Sequence, residues 1–112
     1  MKKIEIIIRP GMLEGVRDAL IALGIHGMNY VEIRGCGQQL GHTEIYRGSV
    51  VKVDFLPKIK IEVVVDDQLV ESVLSNVTNQ ARTGQVGDGK IFVTDVLDAV
   101  RIRTGERGQS AL

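Results

Sequence analysis

Lys58-Ile59-Lys60-Ile61-Glu62-Val63-Val64-Val65 alternates charged with β-branched residues, the period of a strand that buries one face. Ile59, Ile61, Val63 and Val65 form the core side, and Val64 is an apolar intruder on the polar side. Immediately downstream, Leu69, Val70, Val73, Leu74, Val77 and Ala81 recur at helical spacing as one inward stripe, with Asp66 or Asp67 placed to cap the helix. The helix delivers the chain into Thr83-Gly84-Gln85-Val86-Gly87-Asp88-Gly89-Lys90, and a short strand pattern follows from Ile91 to Val96. Strand, helix, glycine-rich loop and strand therefore make up the second half.

The first half repeats the theme. Ile4, Ile6 and Ile8 alternate with Lys3, Glu5, Ile7 and Arg9, so Ile7 is a second apolar misfit on a polar face. Pro10 and Gly11 end that strand. Leu13, Val16, Leu20 and Leu23 then follow at helical spacing up to Gly24, and a β-type run extends from Met28 to Arg34. Strand, helix, strand, strand, helix, strand is an α+β order, the ferredoxin-like double βαβ, with two helices on one face of an antiparallel sheet. Its 112 residues form one domain, 1–112, long enough to bury roughly two-thirds of the surface of the unfolded chain. Between the second and third strands, residues 37–55 are polar, mixed in charge and without a sustained period. A connection this long in a small domain is functional, or else a hairpin with a solvated outer end.

Three glycines and a lysine make a plausible anion cradle, since glycines let backbone N–H groups turn inward and the lysine adds a point charge. Gly84, Gly89 and Lys90 satisfy the first part of the Walker pattern, but Ile91 stands where a Mg²⁺-binding hydroxyl is needed. The order helix, loop, strand is also the reverse of a Walker loop, so a phosphate loop of another kind is expected. Val100-Arg101-Ile102-Arg103-Thr104 alternates, which puts both arginines on one strand side as a fork for phosphate or carboxylate. Ile7 and Val64, exposed on the open sheet face, would meet another subunit or a flat apolar group such as adenine. Residues 105–112 read as a polar, flexible C-terminal tail.

Composition narrows the function. With Lys plus Arg equal to Asp plus Glu at 14 each, two Phe and two Tyr, neither a basic field nor stacking platforms favour nucleic acid. Cys36 is the only cysteine, so no internal disulfide or Cys-x-x-Cys pair exists, and it is expected to be a small buried side chain. His26 and His42 belong to no recognisable triad or metal spacing, which argues against an enzyme. The opening Met-Lys-Lys-Ile-Glu-Ile resembles neither a signal peptide nor a membrane span, and a cytoplasmic protein is expected.

Four ordered motifs, Gly41-His-Thr-Glu-Ile-Tyr-Arg-Gly48, Asp54-Phe-Leu-Pro-Lys58, Thr83-Gly-Gln-Val-Gly-Asp-Gly-Lys-Ile-Phe-Val93 and Arg101-Ile-Arg-Thr-Gly-Glu106, closely resemble the PII signal-transduction proteins of nitrogen regulation. The resemblance spans essentially the whole chain. It implies a homotrimer with a nucleotide site in each cleft between subunits, where ATP and ADP compete and 2-oxoglutarate binds with Mg²⁺-ATP. By position it implies that Ile7 and Val64 flank adenine and that Gly87, Gly89, Lys90, Arg101 and Arg103 hold phosphates. Asn29, Gly35, Gly37, Gln38 and Asp88 belong to the same implied nucleotide site. Gln39 is the implied Mg²⁺ ligand, and Gln39, Leu40, Gly41 and Lys58 are the implied 2-oxoglutarate site. Residues 37–55 become the T-loop that touches targets. Arg47 matches the loop arginine used on ammonium transporters, so the membrane is reached only through such a partner, and a nitrogen-assimilation regulator is the other implied target.

Departures from the family pattern carry their own expectations. Val51 replaces the tyrosine that many relatives nucleotidylylate, which removes the hydroxyl, while Ser49 occupies a place phosphorylated in some relatives. Gln38 replaces an arginine that reaches the phosphates, at a cost of roughly 1.5–3 kcal/mol for one charged hydrogen bond. Asn29 replaces a hydroxyl residue near the base and ribose. Gly11 and Gln85 replace residues that relatives use on N-acetylglutamate kinase, which argues against that partner. A small amino-acid-sensing domain of the same topology, without nucleotide binding, is the alternative.

Overall fold

The computed structural model describes residues 1–37, 42–46, 49–53 and 55–112, with the backbone alone at 42–46 and 49–53. Its elements run β1 (Lys2–Ile8), α1 (Leu13–Ala22), β2 (Asn29–Gly35), β3 (His42–Tyr46), β4 (Ser49–Val53), β5 (Leu56–Val65), α2 (Val70–Ala81) and β6 (Gly89–Asp95). Short 3-10 turns at Pro10–Met12 and Asp67–Leu69 lead into the two helices. Four strands form one sheet in the order β2-β5-β1-β6, with every neighbour antiparallel, and β3 pairs with β4 as a separate hairpin. Each helix thus connects two strands separated by one intervening strand. This is the double βαβ arrangement expected from the order of elements.

The core follows the two periodicities. Ile4, Ile6 and Ile8 of β1 and Ile59, Ile61, Val63 and Val65 of β5 are buried with Val16 and Leu20 of α1 and Val73, Val77 and Ala81 of α2. Burying a Val, Leu or Ile side chain contributes about 1.5–3 kcal/mol, so these two central strands hold the helices to the sheet. Antiparallel register puts Ile6 opposite Ile61 on one side and Ile91 on the other. A slip of one residue would turn all of these side chains to the open face. Gly24 ends α1 with φ +82°, a conformation that costs glycine little.

Four local expectations are corrected. Neither aspartate caps α2, whose N-cap is Leu69; Asp67 instead pairs with the N-terminal ammonium at 2.9 Å, and Asp66 accepts a bond from Gln109 Nε2 at 3.0 Å. Residues 101–104 are a turn, not a strand. There the backbone bonds close locally, Arg101 N–H on Glu106 O at 2.9 Å and Gly105 N–H on Arg101 O at 2.7 Å, leaving Val100 with a single bridge to Arg107. The alternation of Val100 to Thr104 therefore reflects no sheet, and the two arginines share no strand face. Gly108–Ala111 forms a 3-10 turn where a frayed tail was expected, and Arg107 Nε bonds Asp98 at 2.9 Å. Cys36 is exposed rather than buried.

Candidate functional site

The glycine-rich loop is organised from within by Asp88. Its carboxylate accepts the Thr83 hydroxyl, the Thr83 N–H at 2.8 Å and the Gly84 N–H at 2.9 Å, and it also takes Arg9 Nε at 3.3 Å. Arg9 spends a second donor on the Val86 carbonyl at 2.9 Å, which ties the loop to the end of β1. These bonds, the Thr83 hydroxyl first, hold the Asp88 carboxyl well below the usual carboxylate range. Asp88 therefore shapes the loop through its bonds to protein donors.

Gly89 shows why the loop needs glycine. It pairs with Ile8 in the β1–β6 ladder at φ +109°, and a Cβ there would lie 1.7 Å from the Ile7 carbonyl oxygen. With no side chain in the way, the loop lies directly against β1. The next residue, Lys90, is thereby placed across from Ile7, exposed on the open face of the sheet. Lys58, on the neighbouring strand, is buried and donates from Nζ to the Gly87 carbonyl at 2.7 Å. Burial pushes its pKa down, the Arg9 charge pushes it further, and Asp88 opposes both.

Ile7, Lys58, Lys90 and Phe92, with the backbone at Gly35–Gly37 and Gly87–Gly89, line one groove of about 610 Å³. This brings together much of the expected nucleotide and 2-oxoglutarate site, namely Ile7, Gly35, Gly37, Gly87, Asp88, Gly89, Lys90 and Lys58. Val64 and Asn29 are elsewhere, in a second cavity of about 460 Å³ that reaches Leu112. Ile7 and Val64 do share the open face and are half-buried, but Ile7 pairs with Lys60 while Val64 pairs with Lys3. Within one chain four register steps separate them, about 13 Å along the strands. Arg101 lies at that second end too, donating to the Leu112 main-chain oxygen at 3.2 Å and to Glu106 at 3.1 Å. Arg103 is exposed in the same turn.

A single chain thus holds the expected site residues in two groups, at opposite ends of β5. Gln38, Gln39, Leu40, Gly41 and Arg47 lie outside the described residues, as do the side chains of Ser49 and Val51 on β4. Among the described residues no three His, Cys, Asp or Glu side chains gather as a metal site.

Comparison with known proteins gives the family. The family model described as Nitrogen regulatory protein P-II matches residues 1–106. The chain belongs to the P-II family. It is 55% identical over 112 residues, the full length of both chains, to "Nitrogen regulatory protein P-II" of Azospirillum brasilense. At 53%, again over the full length of both, it is similar to "Nitrogen regulatory protein P-II 1" of Escherichia coli K12 and to "Nitrogen regulatory protein P-II" of Klebsiella oxytoca. A P-II chain is a nitrogen signal-transduction regulator, and the family is regulatory rather than catalytic. Among the described residues, no helix of this P-II chain is long and apolar enough to cross a membrane.

Three side chains to which the motifs give no role support the expected site residues. Arg9 and Thr83 hold the loop through Asp88, and Glu106 holds Arg101. An aspartate inside a Thr-Gly turn is a recognisable acceptor of nearby N–H groups. Arg9, 79 positions away from Asp88, leaves no such local signal.

Proposed function

We propose that this chain is a non-catalytic cytoplasmic sensor that binds ATP or ADP at Lys90, and Mg²⁺ with 2-oxoglutarate beside Lys58. It reports their levels to a nitrogen-assimilation target or an ammonium transporter through residues 37–55. The observation that carries this reading is the groove itself, in which Gly89 tolerates no side chain, Lys90 faces outward and the Lys58 ammonium sits buried beside Arg9. Such a groove suits phosphate oxygens at the glycine-rich backbone and a carboxylate at Lys58.

The missing cations favour assembly. Arg101 and Arg103 reach the same triphosphate only if a second copy sets its Arg101 end against the Lys90 end of the first. Leu97 and Ile102, 97% and 99% exposed, are apolar residues suited to being covered by such a copy. We therefore read the functional unit as a closed homo-oligomer, a trimer, with each nucleotide in a cleft shared by two chains. A divalent ion would take phosphate oxygens and Gln39, since the carboxylate in the loop is spent on protein donors. Held there, Mg²⁺ would supply the positive charge that lets a dianionic acid lie beside a triphosphate.

Calorimetric titration of 2-oxoglutarate with and without Mg²⁺-ATP tests this reading. Binding that appears only with Mg²⁺-ATP is expected, because the second ligand depends on the first. Equal affinity in both cases refutes it, and no response to ATP at all favours an amino-acid-sensing domain.

A further inference from the structure

We infer that Glu106 is a built-in competitor for nucleotide phosphate, a positioning residue that holds Arg101 and sets how tightly the site takes its ligand. The inference rests on the assignment of Arg101 to the phosphate site proposed above. In the structure Arg101 is engaged twice: Nη1 bonds Glu106 Oε1 at 3.1 Å, and Nη2 bonds the Leu112 main-chain oxygen at 3.2 Å. The turn that carries both residues is itself closed by backbone bonds between Arg101 and Glu106 and between Gly105 and Arg101. Five residues of chain therefore keep the carboxylate within reach of the guanidinium at all times.

A tethered carboxylate acts as an anion at high effective concentration. Its Oε1 occupies one Nη1 donor, and a phosphate oxygen approaching that edge of the guanidinium meets the like charge of the carboxylate, so the two anions compete there. Arg101 must leave Glu106 before it can hold phosphate with that nitrogen. The site's affinity is then reduced by the fraction of chains in which Arg101 is free. Side chains about one-third and under one-half exposed, 33% for Arg101 and 44% for Glu106, make this a partly solvated pair. Pairs of that kind are populated only a few times more than their open forms, so release from Glu106 strengthens binding roughly two- to sixfold.

The test is calorimetric titration of Mg²⁺-ATP into the intact oligomer, wild type against Glu106→Gln, and both again in an Arg101→Ala background. The expected result is a two- to sixfold tightening in Glu106→Gln that disappears when Arg101 is absent. A merely structural Glu106 would weaken binding when changed, the opposite sign. Unchanged or weaker binding in Glu106→Gln overturns the inference while leaving the nucleotide site standing. A tightening that persists in Arg101→Ala also overturns it, since the gain would then come from general charge. Absence of nucleotide binding in the wild type overturns the proposed site and this inference together.

Discussion

Replacing Gly89 with Ala is the sharpest perturbation of the glycine loop. The new Cβ would lie 1.7 Å from the Ile7 carbonyl oxygen, 2.8 Å from its carbon and 3.3 Å from Ile8 Cα, all of them backbone atoms of a central strand. No side-chain rotation relieves that overlap, so the start of β6 must lift away from β1. Lifting it breaks the pairs Ile8 with Gly89 and Ile7 with Lys90, at about 0.5–1.5 kcal/mol for each hydrogen bond lost. Whatever of the φ near +109° is retained costs a residue with a side chain a further ~1–3 kcal/mol, that of one strained backbone position. Taken together the substitution is expected to destabilise the fold by about 2–5 kcal/mol and to displace Lys90 from its groove. Urea unfolding gives the first quantity and ATP titration the second. Gly11→Ala is the control, because a Cβ at Gly11 meets nothing within 4 Å. Equal stability and equal ATP binding in the two variants would refute the close approach and the role assigned to the loop.

Further outcomes follow from the charges. The Asp88 carboxyl is depressed by its bonds to Thr83, Gly84 and Arg9, so its stabilisation is full above the ordinary carboxylate pKa and is lost as pH falls below about 4. Asp88→Asn should remove that acid sensitivity and loosen nucleotide binding, read by acid titration of loop amide resonances; an unchanged acid limb contradicts it. Lys58 has a linkage of the same sign in a more alkaline window: burial lowers its pKa, so protonating it costs stability as pH falls from the ordinary lysine value through the folded one. A carboxylate bound there raises that pKa, and 2-oxoglutarate binding at alkaline pH should take up protons, measurable by calorimetry in buffers of different ionisation enthalpy. Proton release instead would place the carboxylate elsewhere. Val51 carries no hydroxyl, so incubation with a uridylyltransferase should leave the intact mass unchanged.

Much of the fold is legible because β1 and β5 alternate over their whole length and each helix carries one stripe. Those patterns report burial on one face, and burial is what decides the register of a sheet. The alternation at Val100 to Thr104 misleads for a physical reason: five residues can alternate by chance, while Gly105 at φ +75° and two local backbone bonds close a turn. Asp66 and Asp67 mislead similarly, since a cap preference is weaker than an ammonium or an amide within reach. The site is half legible. Glycines beside Lys90 suggest an anion loop, but the role of Arg9 depends on the end of β1 meeting the loop in space, and that of Glu106 on a turn that the alternating pattern disguises. Nor does the open face announce that Ile7 and Val64 stand four register steps apart, which only the pairing of β1 with β5 reveals.

That separation leads to the claim on which the account rests: Lys90 of one chain and Arg101 of another complete a single nucleotide site. Co-refolding Lys90→Ala chains with Arg101→Ala chains and titrating Mg²⁺-ATP tests it directly. If the site is shared, about one quarter of the clefts in randomly mixed trimers regain both cations and bind with wild-type affinity, although neither variant alone does so. A mixture that never shows a tight site, however long the chains exchange, would contradict the shared cleft.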